Sequence, residues 1–420
     1  MLKTIKKDFA HGKNFLIFSI LKVLGQALFA VLPLIFAYFL SPEGFGAYSL
    51  SIMIIYLFTI LLVSSSTQPF VVYASEELKK TNKISKTITT RLVLLAISTV
   101  VFFILAFAFA GPISKFASLS RNQFYLLLLA YLGVGIKYFF ESLFLGLNQR
   151  NHHAVYELLT AFFSILIVIY FYYFSTINLE NIFIMLFVAP IIAFLFMSFT
   201  IDYSKLFPLK FNKTAFRSML DYTKWMLLGN TSVYIVNWGD NLVLRYFVSL
   251  KEIGIYNLGY QVLKGLIMLS VAVNLYFLPF ISQQINNKTK IRDYLYKKRP
   301  KIFLLGLAGI IALYFMLPYF INLIYGDNYK ESVTVARILL IAAVFVLYRE
   351  FYSPIFSTLR QYRFIQTALM VFAALNIILD YFLVAWIGFI GAAVATTIAF
   401  LFSTITYEWY FRKYCKDRIL

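Results

Sequence analysis

Apolar runs of 19 to 29 residues, parted by short polar stretches, recur along the whole chain. They fall at 15–40, 47–74, 92–110, 122–146, 155–174, 181–201, 225–248, 254–282, 302–324, 333–357, 364–387 and 388–410. A helix needs about 20 apolar residues to cross the hydrocarbon core of a bilayer, so each run is expected to be one membrane span. The first run is too long for a signal-peptide core and lacks a convincing cleavage site; Pro33 is expected to kink it. The pattern therefore predicts an all-α polytopic membrane protein of twelve helices in two six-helix lobes, 1–201 and 225–420. The polar segment 202–224 lies between them as a cytoplasmic linker. Leu2, Ile5 and Phe9 share one helix face in the basic segment 1–14, which reads as a short interfacial helix. Phe211, Phe216, Met219 and Leu220 predict a second one in the linker.

The halves are related in sequence. The stretch 38–50 recurs as 246–258, with six of thirteen positions identical, Tyr38/Tyr246, Phe39/Phe247, Ser41/Ser249, Gly46/Gly254, Tyr48/Tyr256 and Leu50/Leu258. Pro69-Phe70 returns as Pro279-Phe280 at an offset of 210. The run 137–149 lies over 349–361 at an offset of 212, matching Phe139/Phe351, Phe144/Phe356, Leu147/Leu359 and Gln149/Gln361. Offsets that drift in order from 208 to 212 are what small loop changes produce. The chain reads as two copies of one membrane unit, a pattern common in transporters.

Composition agrees. Hydrophobic residues make up 61% of the chain, charged residues 13%, and the mean hydropathy is +0.79; a soluble domain carries about 25% charged residues. A net charge of +20 would by itself suggest nucleic acid, but its distribution points elsewhere. The termini and the loops from even to odd spans hold 28 Lys and Arg, against four (Lys115, Arg121, Lys251 and Lys330) in the odd-to-even loops. Positive residues stay inside, so both termini are expected in the cytoplasm, and no nucleic-acid partner is expected. The single cysteine, Cys415, permits neither an intramolecular disulfide nor a cysteine metal site. His11, His152 and His153 fall at polar ends and are expected to be solvated. No Gly-x-x-x-x-Gly-Lys-Ser/Thr phosphate loop is present, nor Gly-x-Ser-x-Gly, His-Glu-x-x-His or Asp-x-Asp. No external loop is large enough for a catalytic domain. The sequence predicts no catalytic residue, cofactor or metal site, and hence a protein that is not an enzyme.

The candidate chemistry lies in charges within the spans. Six are basic, Lys22, Lys137, Arg245, Lys264, Arg337 and Arg349, and four are acidic, Glu141, Asp240, Glu350 and Asp380. A lipid-facing charge at mid-bilayer costs roughly 2.5–3.5 kcal/mol even on the lenient scale; these groups must snorkel, pair or face water. Lys22, Arg245 and Arg337 lie near helix ends, where snorkelling competes with a cavity role. The basic excess favours an anionic substrate, since Arg and Lys are the usual partners of phosphate. Lys137, Arg349, Lys264, Lys22 and Arg245 are the candidate substrate-binding cations, and Asp240, Glu141, Glu350 and Asp380 the candidate ion-coupling groups. Asn237-Trp238-Gly239-Asp240-Asn241 reads equally as a proton or cation site and as a buried polar packing cluster. Lys137 and Glu141, four apart, are placed to pair. Asp240 and Lys264 lie at similar depths on either side of the turn at Lys251 and are expected to pair or share a water. Lys137 and Arg349 correspond under the duplication; local neutralisation by Glu141 and Glu350 competes with a shared role in phosphate capture.

These features resemble a family. The Phe45-Gly46-Ala47-Tyr48 turn, its partner Ile253-Gly254-Ile255-Tyr256, Gly146-Leu147-Asn148-Gln149-Arg150 and Gly388-Phe389-Ile390-Gly391-Ala392-Ala393, with the twelve-span layout, are similar to Wzx-type O-antigen transporters. These belong to the multidrug/oligosaccharidyl-lipid/polysaccharide (MOP) superfamily. The first half lacks a counterpart of the 388–393 run. The resemblance implies two lobes around a central, often cationic cavity. It also implies alternating-access transfer of undecaprenyl-pyrophosphate-linked oligosaccharide across the bacterial cytoplasmic membrane. A polysaccharide polymerase and a chain-length regulator would then be partners. The family has no strict signature from which site residues transfer. A MATE-like drug or cation exporter is the nearest alternative, with acidic cavity groups as its usual mark. A peptidoglycan-precursor flippase would typically bring two more helices. A membrane-embedded polymerase or glycosyltransferase would bring a large external loop or an acidic metal motif.

Overall fold

The computed structural model describes the backbone of residues 2–419 and, apart from 2–16, 62, 272, 275, 417 and 418, their side chains. The face pattern expected of 1–14, and His11 with it, lies outside the described side chains. Among the described residues every regular element is helical. In order these are α1 (Leu2–Phe39), α2 (Pro42–Phe58), α3 (Thr67–Thr81), α4 (Ser85–Ala108), α5 (Ala110–Ala117) and α6 (Arg121–Gly146). Next come α7 (Arg150–Phe174), α8 (Leu179–Ser198), α9 (Lys213–Phe247), α10 (Leu250–Gln284) and α11 (Lys288–Asp293). The chain ends with α12 (Arg299–Tyr325), α13 (Ser332–Glu350), α14 (Ser353–Thr358), α15 (Tyr362–Ile387), α16 (Phe389–Tyr410) and α17 (Lys416–Ile419). Eleven stretches among the described residues are long and apolar enough to cross a membrane. The twelfth expected span belongs to α9, a 35-residue helix made more polar by Asn230, Asn237, Asp240, Asn241 and Arg245. Large apolar side chains such as Phe199, Leu323, Trp386 and Tyr319 stand about four-fifths or more exposed, a surface suited to hydrocarbon.

Contacts divide the chain into two compact units, one of residues 1–40 and 50–234, the other of 41–49 and 235–420. In the first, α1 packs on α7, α3 on α6, α6 on α8, and α7 on α8. In the second, α10 packs on α13 and α14, α13 on α16, and α15 on α16. The second, fourth, fifth and sixth spans of each half thus meet in the same pairs. The duplication reaches the hydrogen bonds. Ser41 Oγ accepts from Gly44 N at 3.2 Å, and Ser249 Oγ from Glu252 N at 3.3 Å, the same N-cap at an offset of 208. At an offset of 212, Gln149 N donates to Phe144 O at 2.8 Å and Gln361 N to Phe356 O at 2.9 Å. Asn148 and Arg360 are both left-handed there, at φ 60° and 56°. This is a Schellman helix ending, made twice.

Glycine explains one close approach in the second unit. A Cβ on Gly46 would stand 2.1 Å from Leu250 O, and one on Gly254 would stand 1.9 Å from Pro42 O. Gly46/Gly254 and Pro42/Leu250 are repeat partners, so the starts of α2 and α10 cross reciprocally, each offering a bare Cα to the other's carbonyl. A methyl group at either position would hold the backbones apart.

Two local expectations are corrected. The linker does not form a separate interfacial helix; from Lys213 it is the first part of α9. There Met219 is 1% exposed and packs in a core with Phe144, Leu143 and Leu206, with Phe216 and Leu220 against it. The second span is not continuous. A π turn (Thr59–Val63) and a 3₁₀ turn (Ser64–Ser66) interrupt it before α3. Ser65 Oγ and Ser66 Oγ turn back to Ile60 O (2.7 Å) and Val63 O (3.0 Å), and Pro69 supplies no amide hydrogen. Arg91, expected in a solvated loop, lies on α4 fully buried and clasps this break. Its Nη1 donates to Val63 O (3.1 Å) and to Ser66 Oγ, and its Nη2 to Thr67 Oγ1 (3.0 Å).

Candidate functional site

Four helices of the second unit bring polar side chains to one depth. Asp240 lies seven residues before the end of α9, Tyr256 six after the start of α10, Asp380 seven before the end of α15, and Thr396 seven after the start of α16. At 1.5 Å per residue all four sit about 10 Å from their helix ends. Asp240 Oδ1 accepts from Asn376 Nδ2 at 2.7 Å, and its Oδ2 from Thr396 Oγ1 at 3.0 Å and from the Tyr256 hydroxyl. The same Asn376 amide donates to Asp380 Oδ2 at 2.7 Å. Two 2.7 Å legs place those carboxylate oxygens within about 5.4 Å of each other. All five residues are buried, Asp380 completely. Asp380 Oδ1 is buried and accepts no hydrogen bond. Beside it, Asn241 and Asn257 exchange amide hydrogen bonds at 2.6 and 3.3 Å.

Among the described residues no Lys or Arg forms an ion pair with Asp240 or Asp380. Close-set buried oxygens of this kind can take up a proton or a small cation. The expected pairing of Asp240 with Lys264 is not made, because three neutral donors already take the carboxylate. Lys264 Nζ instead stands over the rings of Trp238 (4.5 Å) and Tyr260 (5.1 Å), which support it as cation–π partners.

The other candidates are distributed as follows. Arg349 Nη2 pairs with Glu350 at 3.2 Å and its Nη1 donates to Ser403 Oγ at 3.1 Å, with Phe400 and Tyr407 beside the guanidinium. Arg337 stands over Tyr314 at 4.8 Å, and Arg245 is half-buried in the last turn of α9. In the first unit Lys137 pairs with Glu141 at 3.7 Å and stands 3.8 Å over the Phe29 ring. Both repeat-related cations thus have a neighbouring acid.

Lys22 has a more specific setting. It pairs with Glu157 and lies 3.1 Å from His153 Nε2, while His153 Nδ1 lies 3.2 Å from the Glu141 carbonyl oxygen. His153 is 7% exposed, which overturns its expected solvation. His152 is half-buried and stacks on Phe144. Sequence reading missed His153 and Glu157 on α7 and Asn376, Thr396 and Tyr256 in the acidic network. His153–Glu157 and Asn376–Asp380 are both four apart, and that spacing was the available signal.

Residues 35–334 match the family described as polysaccharide biosynthesis protein. An uncharacterized membrane protein of Methanocaldococcus jannaschii is 23% identical over 365 residues, 77% of this chain and 69% of that protein. In Haloferax volcanii, the probable flippase AglR is 22% identical over 62% of this chain and 55% of its own length. The probable low-salt glycan biosynthesis flippase of that organism is 22% identical over 46% of this chain and 42% of its own length. Among solved structures, the lipid II flippase MurJ superposes with TM-score 0.77 at 17% identity, covering 96% of this chain and 89% of that one. An inward-facing MATE multidrug transporter of the MOP superfamily gives 0.78 at 13% identity, covering 94% and 95%. The fold is the one these transporter structures share, and the chain, a multi-pass membrane protein, belongs to the family described as polysaccharide biosynthesis protein.

Proposed function

We propose that this protein moves a polyprenyl-pyrophosphate-linked oligosaccharide across the membrane by alternating access, in bacterial terms an undecaprenyl-linked O-antigen-like repeat unit. The family match over 35–334 carries this reading. The basic residues support it, because a pyrophosphate is the part of such a substrate that needs cations within the membrane. Among them, the Lys22 side chain is 27% exposed and so can reach a ligand. Lys137, Lys264, Arg245 and Arg349 form the remaining proposed set. Asp240 and Asp380, bridged by Asn376, are the proposed coupling site for a proton or small cation. Glu141 and Glu350 hold their neighbouring cations in register.

Both termini then face the cytoplasm, and a polymerase and chain-length regulator act on the delivered unit. The experiment is deletion of the gene followed by measurement of lipid-linked oligosaccharide in each leaflet. Accumulation in the cytoplasmic leaflet is expected. Normal surface glycan in a strain with no second transporter would contradict the reading.

A further inference from the structure

The geometry around His153 assigns a proton. A carbonyl oxygen only accepts, so the 3.2 Å contact with Glu141 O requires that His153 Nδ1 carry hydrogen. In the neutral ring Nε2 is then a lone pair, and it faces Lys22 Nζ at 3.1 Å. The ammonium donates to Nε2 and to Glu157, and the contact is complete. A second proton on the imidazole would place an N–H against an ammonium, with no acceptor between them. Lys22 and a proton on His153 therefore exclude each other.

We propose that Lys22, His153 and Glu157 form a proton-for-lysine exchange site that controls the availability of Lys22 to a pyrophosphate. This rests on the anionic-substrate reading above. When the pyrophosphate draws Lys22 away, Glu157 is left without its ion-pair partner. A proton from water then binds Nε2, and the imidazolium replaces the ammonium beside Glu157, one turn along the same helix. The local charge is unchanged. One proton is taken up for each pyrophosphate bound, and its loss returns Lys22 to the site and releases the anion.

The surrounding charges permit this. On α1 the charged residue among the described side chains is Lys22. On α6 the nearest groups are Lys137 and Glu141, which pair with each other, and the hydroxyl of Tyr138; Lys137 and Tyr138 both lie within electrostatic reach of Glu157, and Tyr56 of α2 faces them. On α7 itself they are Glu157, His152 and Arg150. The only charged residue of α8, Glu180, lies at the opposite end of that helix. The site has no repeat counterpart: Ile365 and Leu369 occupy the positions 212 residues after His153 and Glu157.

The test uses protein carrying His11→Gln and His152→Gln, so that His153 is the only histidine, labelled with ¹⁵N and held in nanodiscs. Nitrogen shifts report tautomer and protonation. At pH 7.5 the free protein should show the neutral Nδ1–H ring, and saturating farnesyl pyrophosphate should convert it to imidazolium. Its affinity should tighten as pH falls, by up to about tenfold per unit. A neutral Nε2–H ring, or bound pyrophosphate with an unchanged ring, overturns the exchange. If farnesyl pyrophosphate does not bind at any pH, the substrate reading fails, and Lys22→Gln then decides the exchange alone. Removing Lys22 should by itself protonate His153 at pH 7.5, and a ring that stays neutral overturns the proposal.

Discussion

Gly254→Ala tests the reciprocal glycine crossing. The added Cβ would stand 1.9 Å from Pro42 O, whereas real Cβ contacts do not fall below 3.0 Å, so α10 must retreat from α2 by at least about 1.1 Å. Neither contact is the tip of a flexible side chain; both are backbone. Overpacking of this kind costs about 1–3 kcal/mol, and the better helix propensity of alanine returns about 0.5–1 kcal/mol. The net expectation is a loss of about 1–2 kcal/mol, seen as a melting temperature lower by a few degrees in a detergent thermal-shift assay. Gly265 on the same helix has nothing within 4 Å of its would-be Cβ, so Gly265→Ala should leave melting unchanged or raised. Gly46→Ala forces the same separation, with its Cβ 2.1 Å from Leu250 O. Once one methyl has parted the helices, the second meets less resistance, so the double variant should lose less than the sum. Equal melting of Gly254→Ala and Gly265→Ala, or strict additivity of the two crossing variants, would show that the crossing does not depend on bare Cα atoms.

Three further outcomes follow from particular contacts. Arg91→Ala leaves the Ser66 and Thr67 hydroxyl oxygens without their donor, and Val63 O with only Ser66 Oγ, at a buried break; it should cost about 2–4 kcal/mol, whereas a comparable melting curve would show that the clasp is idle. Arg360→Gly relieves a left-handed arginine and should raise melting slightly, by about 0.5–1 kcal/mol. The repeat-related Asn148→Gly should gain less, because asparagine tolerates that conformation, and the opposite ranking would count against a conformational cause. Asp240→Asn keeps the shape of the acidic network but removes a charge, so sodium or proton dependence of transport should disappear with little change in melting. Unchanged ion dependence would remove Asp240 from coupling.

The spans were legible because a bilayer demands long apolar runs, and few other folds supply them. Span seven was legible at 225–248 although α9 carries Asn230, Thr231, Ser232, Asn237, Asp240, Asn241 and Arg245 there. The repeat was legible from three short stretches and returned as a duplicated cap, a duplicated helix ending and a reciprocal glycine contact. Asp240 and Asp380 stood out by charge alone; Asn376 and Thr396, which organise them, carry none and resemble ordinary packing residues. His153 was misread because it lies three residues inside α7, where a polar run normally marks a loop. Glu157 escaped notice at the edge of an apolar run. The Ser64–Ser66 break shows no helix-stopping residue before Pro69, and Arg91, which hydrogen-bonds to it, lies 25 residues beyond Ser66. Contacts of that range carry no local pattern.

Transfer of a polyprenyl-pyrophosphate oligosaccharide through this chain can be followed by reconstitution. Purified protein in liposomes is given a labelled polyprenyl-pyrophosphate oligosaccharide in one leaflet, and the fraction reaching the other is followed with a membrane-impermeant sugar-modifying enzyme. Transfer well above protein-free liposomes is expected, accelerated by an applied proton or sodium gradient; Asp240→Asn should remove that gradient dependence, and Lys22→Gln should strongly reduce transfer. Transfer no faster than in protein-free liposomes, under any applied proton or sodium gradient, would contradict the proposed function.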